Sequence, residues 1–468
     1  MKYFTLHLIL TNLLAVGVFA QGAKFDSELQ EAIQRRDPLL PVIVVLDPID
    51  LSAVAGVGNL TAGELQYIRE EEVKTAQAEI SRFVRSTFQN GTDADIYEFK
   101  FFWSTNALSI TASEAVIRHL AQFPEVQKII YDSTVQLTYR VDEPKPEAQY
   151  TYGLQKIGIP DLRRQYPHLT GKGVVVGILD TGIDGKHPEL QGRVKAFGDF
   201  IQGKTEAYDD NGHGTHVAGT IAGSGIGGTE IGVAPEATLV IGKILSGQGG
   251  GSLSGILQGM EWITNPDRRL NSNLRPHVVN NSWGSNRFDG NIRTIPFAQH
   301  VITWVEMGIF PVFAAGNNGR AGTKTIGDPA GLPMAYAVGA TDENDQVTDF
   351  SSRGPVQITD VSGRSYTLVK PDVSAPGARV YSSVPGGGYE RFSGTSMAAP
   401  HLTGAIALLY QANPEITIPQ VVQVLEETAV YLGDSESRKK SNDFGMGRIH
   451  LGRAVEALTS YGYYHSGW

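Results

Sequence analysis

Val174-Val175-Val176-Gly177-Ile178-Leu179-Asp180-Thr181-Gly182 is an apolar run that stops at a carboxylate. The run is short, continuous and bounded by glycines, so it reads as a central strand of a parallel sheet, buried on both faces. Asp180 then lies at the strand's C-terminal edge, where ligands bind in open α/β sheets. The plain alternative is an aspartate that caps a turn.

Outward from this strand, apolar runs at 238–244, 277–280 and 309–314 alternate with helical patterns at 253–263 and 295–307. That alternation predicts an α/β fold, a parallel sheet flanked by helices on both faces. Two more segments carry chemistry. In Asn211-Gly212-His213-Gly214-Thr215-His216-Val217-Ala218-Gly219 a histidine precedes a helix of small residues. It could be a solvated loop histidine, or a metal ligand with His216, although a histidine pair without an acidic third ligand is a weak metal signal. In Phe392-Ser393-Gly394-Thr395-Ser396-Met397-Ala398-Ala399-Pro400 a serine sits where loop becomes helix. The helix's first turn would aim free N–H groups at anything bound near Ser396. An ordinary N-cap is the competing reading. Taken in order, Asp180, His213 and Ser396 supply a carboxylate, a base and a nucleophile. Serine needs an adjacent base, and the histidine needs a carboxylate to fix its tautomer.

With these three motifs the chain resembles the subtilisin-like serine proteases, or subtilases, from about 152 to about 457. The Asp, His, Ser chain order is one already known for that family. The resemblance implies a serine endopeptidase with Asp180, His213 and Ser396 as the triad. In Ile309-Phe310-Pro311-Val312-Phe313-Ala314-Ala315-Gly316-Asn317-Asn318-Gly319 it makes Asn317 the oxyanion-hole donor, where residues alone would suggest a turn. Ser246, Gly247 and Gly249, with Ser282, Trp283 and Gly284, become the two segments that pair with a peptide as an extra strand. Ala314, Ala315, Gly316 and Gly327 become the specificity pocket. These stretches carry no acid, so a large apolar residue before the cut is expected. Subtilases often hold structural calcium, and Glu189 occupies the acidic position of such a site. The loop 224–230 lacks the expected asparagine, which leaves Glu189 a weak candidate. No cofactor is required. Another serine acyl hydrolase is disfavoured because no Gly-x-Ser-x-Gly elbow surrounds Ser396. A non-catalytic peptide-binding pseudoprotease is disfavoured because all four catalytic positions are filled.

The chain has 468 residues, 41% of them hydrophobic, enough for two folded units and a leader. It has no cysteine, which removes disulfide and thiolate chemistry. A net charge of −10 argues against a broad grip on nucleic acid. No internal stretch is long enough to span a membrane. Residues 1–20 read as a signal peptide: Lys2, an apolar 6–19, and Val18-Phe19-Ala20 before Gln21. The leader implies secretion, the resemblance to subtilases implies protein or peptide substrates, and a monomer is expected.

Residues 21–139 read as a separate unit with a strand at 41–46, an amphipathic helix at 63–88, strands at 96–103 and 107–110, a helix at 113–123 and a strand at 126–138. The helix carries Leu65, Ile68, Val73, Ala76, Ile80 and Val84 on one face, and Arg69, Glu70, Glu71, Glu72 and Lys74 on a face expected to be solvated. This order is ferredoxin-like α+β. In its position before the protease it resembles the inhibitory, chaperone-like propeptide of subtilases. Residues 140–468 form the peptidase domain, opening on a polar, proline-rich stretch, 140–149, that reads as an exposed linker. Self-cleavage is expected between Leu137 and Tyr150, just after the aromatic Tyr139. The aromatic tail 461–468 is unassigned.

Overall fold

In a computed structural model the described residues are 24–49, 51, 60–91, 95–143, 148–269, 272–286, 288–434 and 438–462. The expected signal peptide, part of the linker and the last six residues lie outside them. The chain divides into two compact units. The first holds the described residues up to 133, except 61–63, together with 293–299; the second holds the rest.

The first unit begins with helix α1 (Ser27–Arg35), capped by the Asp26 side chain. Strand β1 (Leu40–Leu46), helices α2 (Ala62–Ala76) and α3 (Ala78–Asn90), strands β2 (Ile96–Phe102) and β3 (Ala107–Ala112), helix α4 (Glu114–Leu120) and strand β4 (Val126–Tyr131) follow. The antiparallel sheet runs β2-β3-β1-β4, the order of the ferredoxin-like arrangement. Its core joins Leu29, Val42, Val44, Ile80, Val84, Leu108, Ile110, Ile117 and Ile129.

Three expectations change here, the first being that the strand expected at 126–138 ends at Tyr131. The helix expected at 63–88 breaks at Gln77, whose buried side-chain amide donates to the carbonyls of Phe102 and Ala107. Arg69 is not on a solvated face; it is 1% exposed. The spacing explains it: Arg69 lies one turn from Leu65 and one from Val73, both buried, and so shares their face.

The second unit contains β5 (Thr134–Gln136), β6 (Arg140–Asp142), β7 (Val175–Asp180), β8 (Val194–Asp199), helix α5 (His213–Ala222), β9 (Thr238–Lys243), β10 (Gly250–Ser252), α6 (Leu253–Thr264), β11 (Val278–Asn281), α7 (Ala298–Glu306), β12 (Phe310–Ala314), β13 (Tyr336–Thr341), the hairpin β14 (Val356–Thr359) and β15 (Ser365–Leu368), β16 (Val373–Pro376), β17 (Val380–Val384), β18 (Gly388–Ser393), α8 (Thr395–Ala412), α9 (Ile418–Thr428) and α10 (Leu451–Ser460). Seven strands form a parallel sheet in the order β16-β13-β12-β11-β7-β9-β8. The order reverses at β7, so Asp180 stands at a topological switch point.

Helices cover both faces, as the alternation predicted. On one face, Val176 and Ile178 of β7 join Val217 of α5 and Leu402 and Ile406 of α8 in the main core. On the other, a side chain at Gly177 would strike Ile263 of α6 at 2.8 Å, so glycine there lets α6 lie close to the sheet. Trp304 of α7 donates its indole N–H to Thr264 of α6 at 3.1 Å. Among the described residues no helix is long and apolar enough to cross a membrane.

Candidate active site

Asp180, His213, Ser396 and Asn317 meet at the carboxyl edge of this sheet, although they arise from four different elements. The fold sets Asp180 at the end of β7 and His213 at the first residue of α5. Gly214 makes the approach possible, because a side chain there would meet the Gly182 carbonyl at 2.1 Å. His213 Nδ1 lies 2.7 Å from Asp180 Oδ1, and both side chains are fully buried. The carboxylate holds the ring with Nε2 facing away, and Nε2 has no hydrogen-bond partner among the described residues.

Ser396 enters at the second residue of α8. Its hydroxyl donates to the Ser282 carbonyl at 2.9 Å rather than to His213. In turn the Ser282 hydroxyl donates to the Ser396 carbonyl at 2.8 Å. That carbonyl is open because Pro400, one turn on inside the helix, has no N–H to offer it. To meet His213 the Ser396 hydroxyl would have to swing away from Ser282, a rotamer change.

Asn317 is oriented by its own side-chain oxygen, which accepts from the Thr395 N–H at 2.9 Å and the Thr395 hydroxyl at 3.0 Å. Its amide nitrogen therefore faces the groove, and it donates to the Thr138 carbonyl at 2.5 Å. The chain segment that ends β5 thus lies in the site. Gln136, Val135 and Thr134 pair antiparallel with Gly250, Gly251 and Ser252, and Leu137 N–H donates to Gly249 O at 2.9 Å.

The cavity beside Ser396 is lined by Leu137, Thr138, Ser282, Trp283, Gly284, Ala314, Ala315, Gly316, Asn317 and Gly327. This cavity brings one expected groove segment, Ser282, Trp283 and Gly284, together with the expected pocket residues; of the other segment, Gly249 O accepts from Leu137 N–H. Ser246 and Gly247 sit at the turn before β10: Ser246 N–H donates to Gly250 O, and Gly247 O accepts from the Asn211 amide at 3.0 Å. Asp328 also lines the cavity, so the pocket is not free of acids. The stretches read from the sequence stopped one residue short of it, at Gly327.

Beyond Ser396 the same chain continues. Tyr139 places its ring 4.8 Å from those of His213 and Phe392, and its hydroxyl donates to Asn211 Oδ1 at 3.1 Å. Burial, and then the negative charge of Asp180, hold its phenol above the ordinary tyrosine range. Arg140, Val141 and Asp142 pair with Ser393, Phe392 and Arg391 as a third strand on β17 and β18. The start of the expected linker is therefore a strand. Pairing with the edge of β18 makes Arg140–Asp142 a strand, and the prolines of the expected linker, Pro144 and Pro146, follow it in sequence.

Several supporting residues escaped the sequence reading. Asp209 accepts from Thr181 Oγ1, from the N–H groups of Asn211 and Gly212, and from both the N–H and hydroxyl of Thr215. It locks the Asp180 turn to the start of α5. An aspartate just before a helix of small residues was the available signal. Lys243, fully buried, donates to Thr181 O at 2.5 Å, Asp210 at 2.6 Å and Leu245 O at 2.9 Å.

The metal readings fit poorly. His216 Nε2 donates to the Val380 and Glu390 carbonyls at 2.9 and 3.2 Å. Burial, then the neighbouring His213, push its pKa down to about 3. Glu189 is 1% exposed, and its carboxylate accepts from Gly225 N–H, Gly227 N–H, the Ser224 hydroxyl and the Tyr389 hydroxyl at 2.6, 2.9, 3.2 and 2.8 Å. Donors surround it where a cation would need acceptors. No cluster of three or more acidic, histidine or cysteine side chains able to hold a metal occurs among the described residues.

Comparison with known proteins agrees with this architecture. The model of the subtilase family matches residues 171–447. Bacillopeptidase F of Bacillus subtilis (strain 168) is 31% identical over 86% of this chain, which spans only 30% of that relative. Subtilisin E of the same organism is 36% identical over 76% of this chain and 82% of its own length. Subtilisin of Bacillus pumilus is 38% identical over 65% of this chain and 98% of its own. The chain belongs to the subtilase family and is a serine endopeptidase.

Proposed function

We propose that the chain is a self-processing precursor whose own segment 134–142 is the first substrate of Ser396. Ser396 attacks the carbonyl carbon, and His213 takes its proton and later passes it to the leaving amine. Asp180 holds His213 and stabilises the imidazolium, and Asn317 stabilises the oxyanion. The observation that carries this reading is the Thr138 carbonyl on Asn317 Nδ2, in the cavity that Ser396 lines. It favours a cut between Thr138 and Tyr139, one residue before the position expected from the sequence. The unit up to Thr138 would then remain as a product inhibitor.

The leader 1–20 supports export, so we take the mature enzyme to act outside the cell, as a monomer, on proteins and peptides. Small walls at Ala314, Gly316, Gly327 and Ala330 leave room for a large apolar side chain before the cut. Glycine-lined, main-chain pairing along β10 supports broad specificity.

The test is N-terminal sequencing of the mature wild-type enzyme, with the full-length Ser396→Ala chain as control. A mature chain beginning at Tyr139, and an uncut control in a host lacking other proteases, are expected. A control that matures to the same N-terminus would overturn self-processing. A wild-type chain beginning at Arg140 would restore the cut after Tyr139.

A further inference from the structure

Only one oxygen of Asp180 is engaged. Its Oδ1 accepts from the Thr181 N–H at 2.7 Å and faces His213 Nδ1 at 2.7 Å, while Oδ2 has no partner among the described residues. The plane of the carboxylate therefore depends on where Thr181 is held. His213 has a matching weakness. It is the first residue of α5, and Gly212 before it has no side chain to cap the helix. First-turn N–H groups have no partner within a helix, and helix ends fray.

One carboxylate serves both places. Asp209 Oδ1 accepts from Thr181 Oγ1 at 2.9 Å and from the N–H groups of Asn211 and Gly212 at 3.1 and 2.9 Å. Its Oδ2 accepts from the N–H and hydroxyl of Thr215 at 2.9 and 2.7 Å. Thr181 Oγ1, having donated to Asp209, accepts from the Gly214 N–H at 2.9 Å. Thr181 and Asp209 thus cap the second and third residues of α5, where a negative charge is favourable in itself. The backbone fixes Asp209 as well. The Tyr208 carbonyl accepts from the Ile183 N–H at 3.1 Å, and a side chain at Gly182 would meet that carbonyl at 2.0 Å. Five donors converge on the two Asp209 oxygens. A side-chain amide has a single accepting oxygen and could not serve them all.

We propose that Asp209 is a positioning residue for the reaction: through Thr181 it holds the plane of Asp180, and through Thr215 it holds the turn that carries His213. This role rests on the proposed triad of Asp180, His213 and Ser396. In peptide hydrolysis by the mature enzyme, Asp209→Asn should lower kcat by about ten- to a hundredfold with KM changed by less than about twofold, the result of a misaimed base. Thr181→Val should show a similar fall, and Thr181→Ser, which keeps the hydroxyl, should recover most of it. The double variant Asp209→Asn/Thr181→Val should be little worse than either alone. The proton between His213 and Asp180 gives a readout that a loss of stability alone would not move. Its downfield NMR resonance, identified in the full-length Ser396→Ala chain by its absence after His213→Ala, should shift on Asp209→Asn. Should Asp209→Asn fail to fold, Thr181→Val takes its place in both measurements. A kcat within about twofold of wild type, a loss confined to KM, equal losses in Thr181→Val and Thr181→Ser, or an unmoved resonance would each overturn the proposal. His213→Ala in the otherwise wild-type chain keeps the two readings apart. If it stays active, the triad itself is wrong; if it is inactive while Asp209→Asn is fully active, the positioning role alone is refuted.

Discussion

Ser282 and Ser396 exchange hydrogen bonds, each hydroxyl donating to the other's carbonyl, at 2.8 and 2.9 Å. One of these bonds is structural and the other is a resting position for the proposed nucleophile. The Ser282 hydroxyl serves a carbonyl that Pro400 cannot. Ser282→Ala should therefore cost about 1–3 kcal/mol of stability, the penalty for an unsatisfied buried acceptor. Adding Pro400→Ala should recover part of it by restoring a helix N–H. Urea unfolding in the Ser396→Ala background measures both; a strictly additive double mutant would count against the coupling.

Asn317→Ala should lower kcat by about a hundred- to a thousandfold with KM nearly unchanged, a magnitude already characteristic of oxyanion donors in this family. The neighbouring Thr395→Val should produce a smaller fall, since it removes the hydroxyl that bonds Asn317 but leaves the Thr395 N–H in place. Peptide hydrolysis under steady-state conditions separates the two parameters. A change confined to KM would mean that Asn317 grips the ground state.

Calcium should matter little to stability. Both Glu189 oxygens accept protein donors, so chelator should shift the melting temperature by no more than about one degree. Glu189→Gln should cost about 1–3 kcal/mol, because an amide would turn a donor toward Gly225 or Gly227. A large drop with chelator, reversed by calcium, would show that a cation displaces these bonds.

Acid should weaken the fold through its buried histidines. Burial lowers His216 to a pKa of about 3 and His401 to about 4. Unfolded histidine titrates near 6.5, so below that pH the unfolded chain binds protons that the folded chain refuses. Stability is full above about pH 6.5 and falls as pH drops toward the folded values, by up to about 1.4 kcal/mol per unit for each residue. His401→Gln should flatten the slope by that amount between about pH 6 and pH 5. An unchanged slope, from urea midpoints in the Ser396→Ala background, would mean that His401 is protonated in the fold.

Much of the site could be read from local sequence because its members sit at strand ends and helix starts. Asp180 follows an unbroken apolar strand, and His213 and Ser396 open helices of small residues. What stayed hidden depends on distant partners. Gln77 breaks its helix to reach carbonyls at the ends of two strands. Arg69 carries a charge yet shares a helical face with Leu65 and Val73. Residues 140–142 have a linker's composition and become a strand only because Phe392 and its neighbours offer an open edge. Asp328 followed the pocket residue Gly327 directly, but only the folded backbone brings it to the cavity wall.

Thr138 rests on Asn317 within the same chain that carries Ser396. Self-cleavage there, as proposed, would be first-order, and its half-life should not change when the precursor is diluted. Every later substrate must arrive by collision, at a rate set by concentration. On the proposed reading the molecule would change kinetic order once in its life, at a single peptide bond, and the mature enzyme would inherit a groove that has already been used.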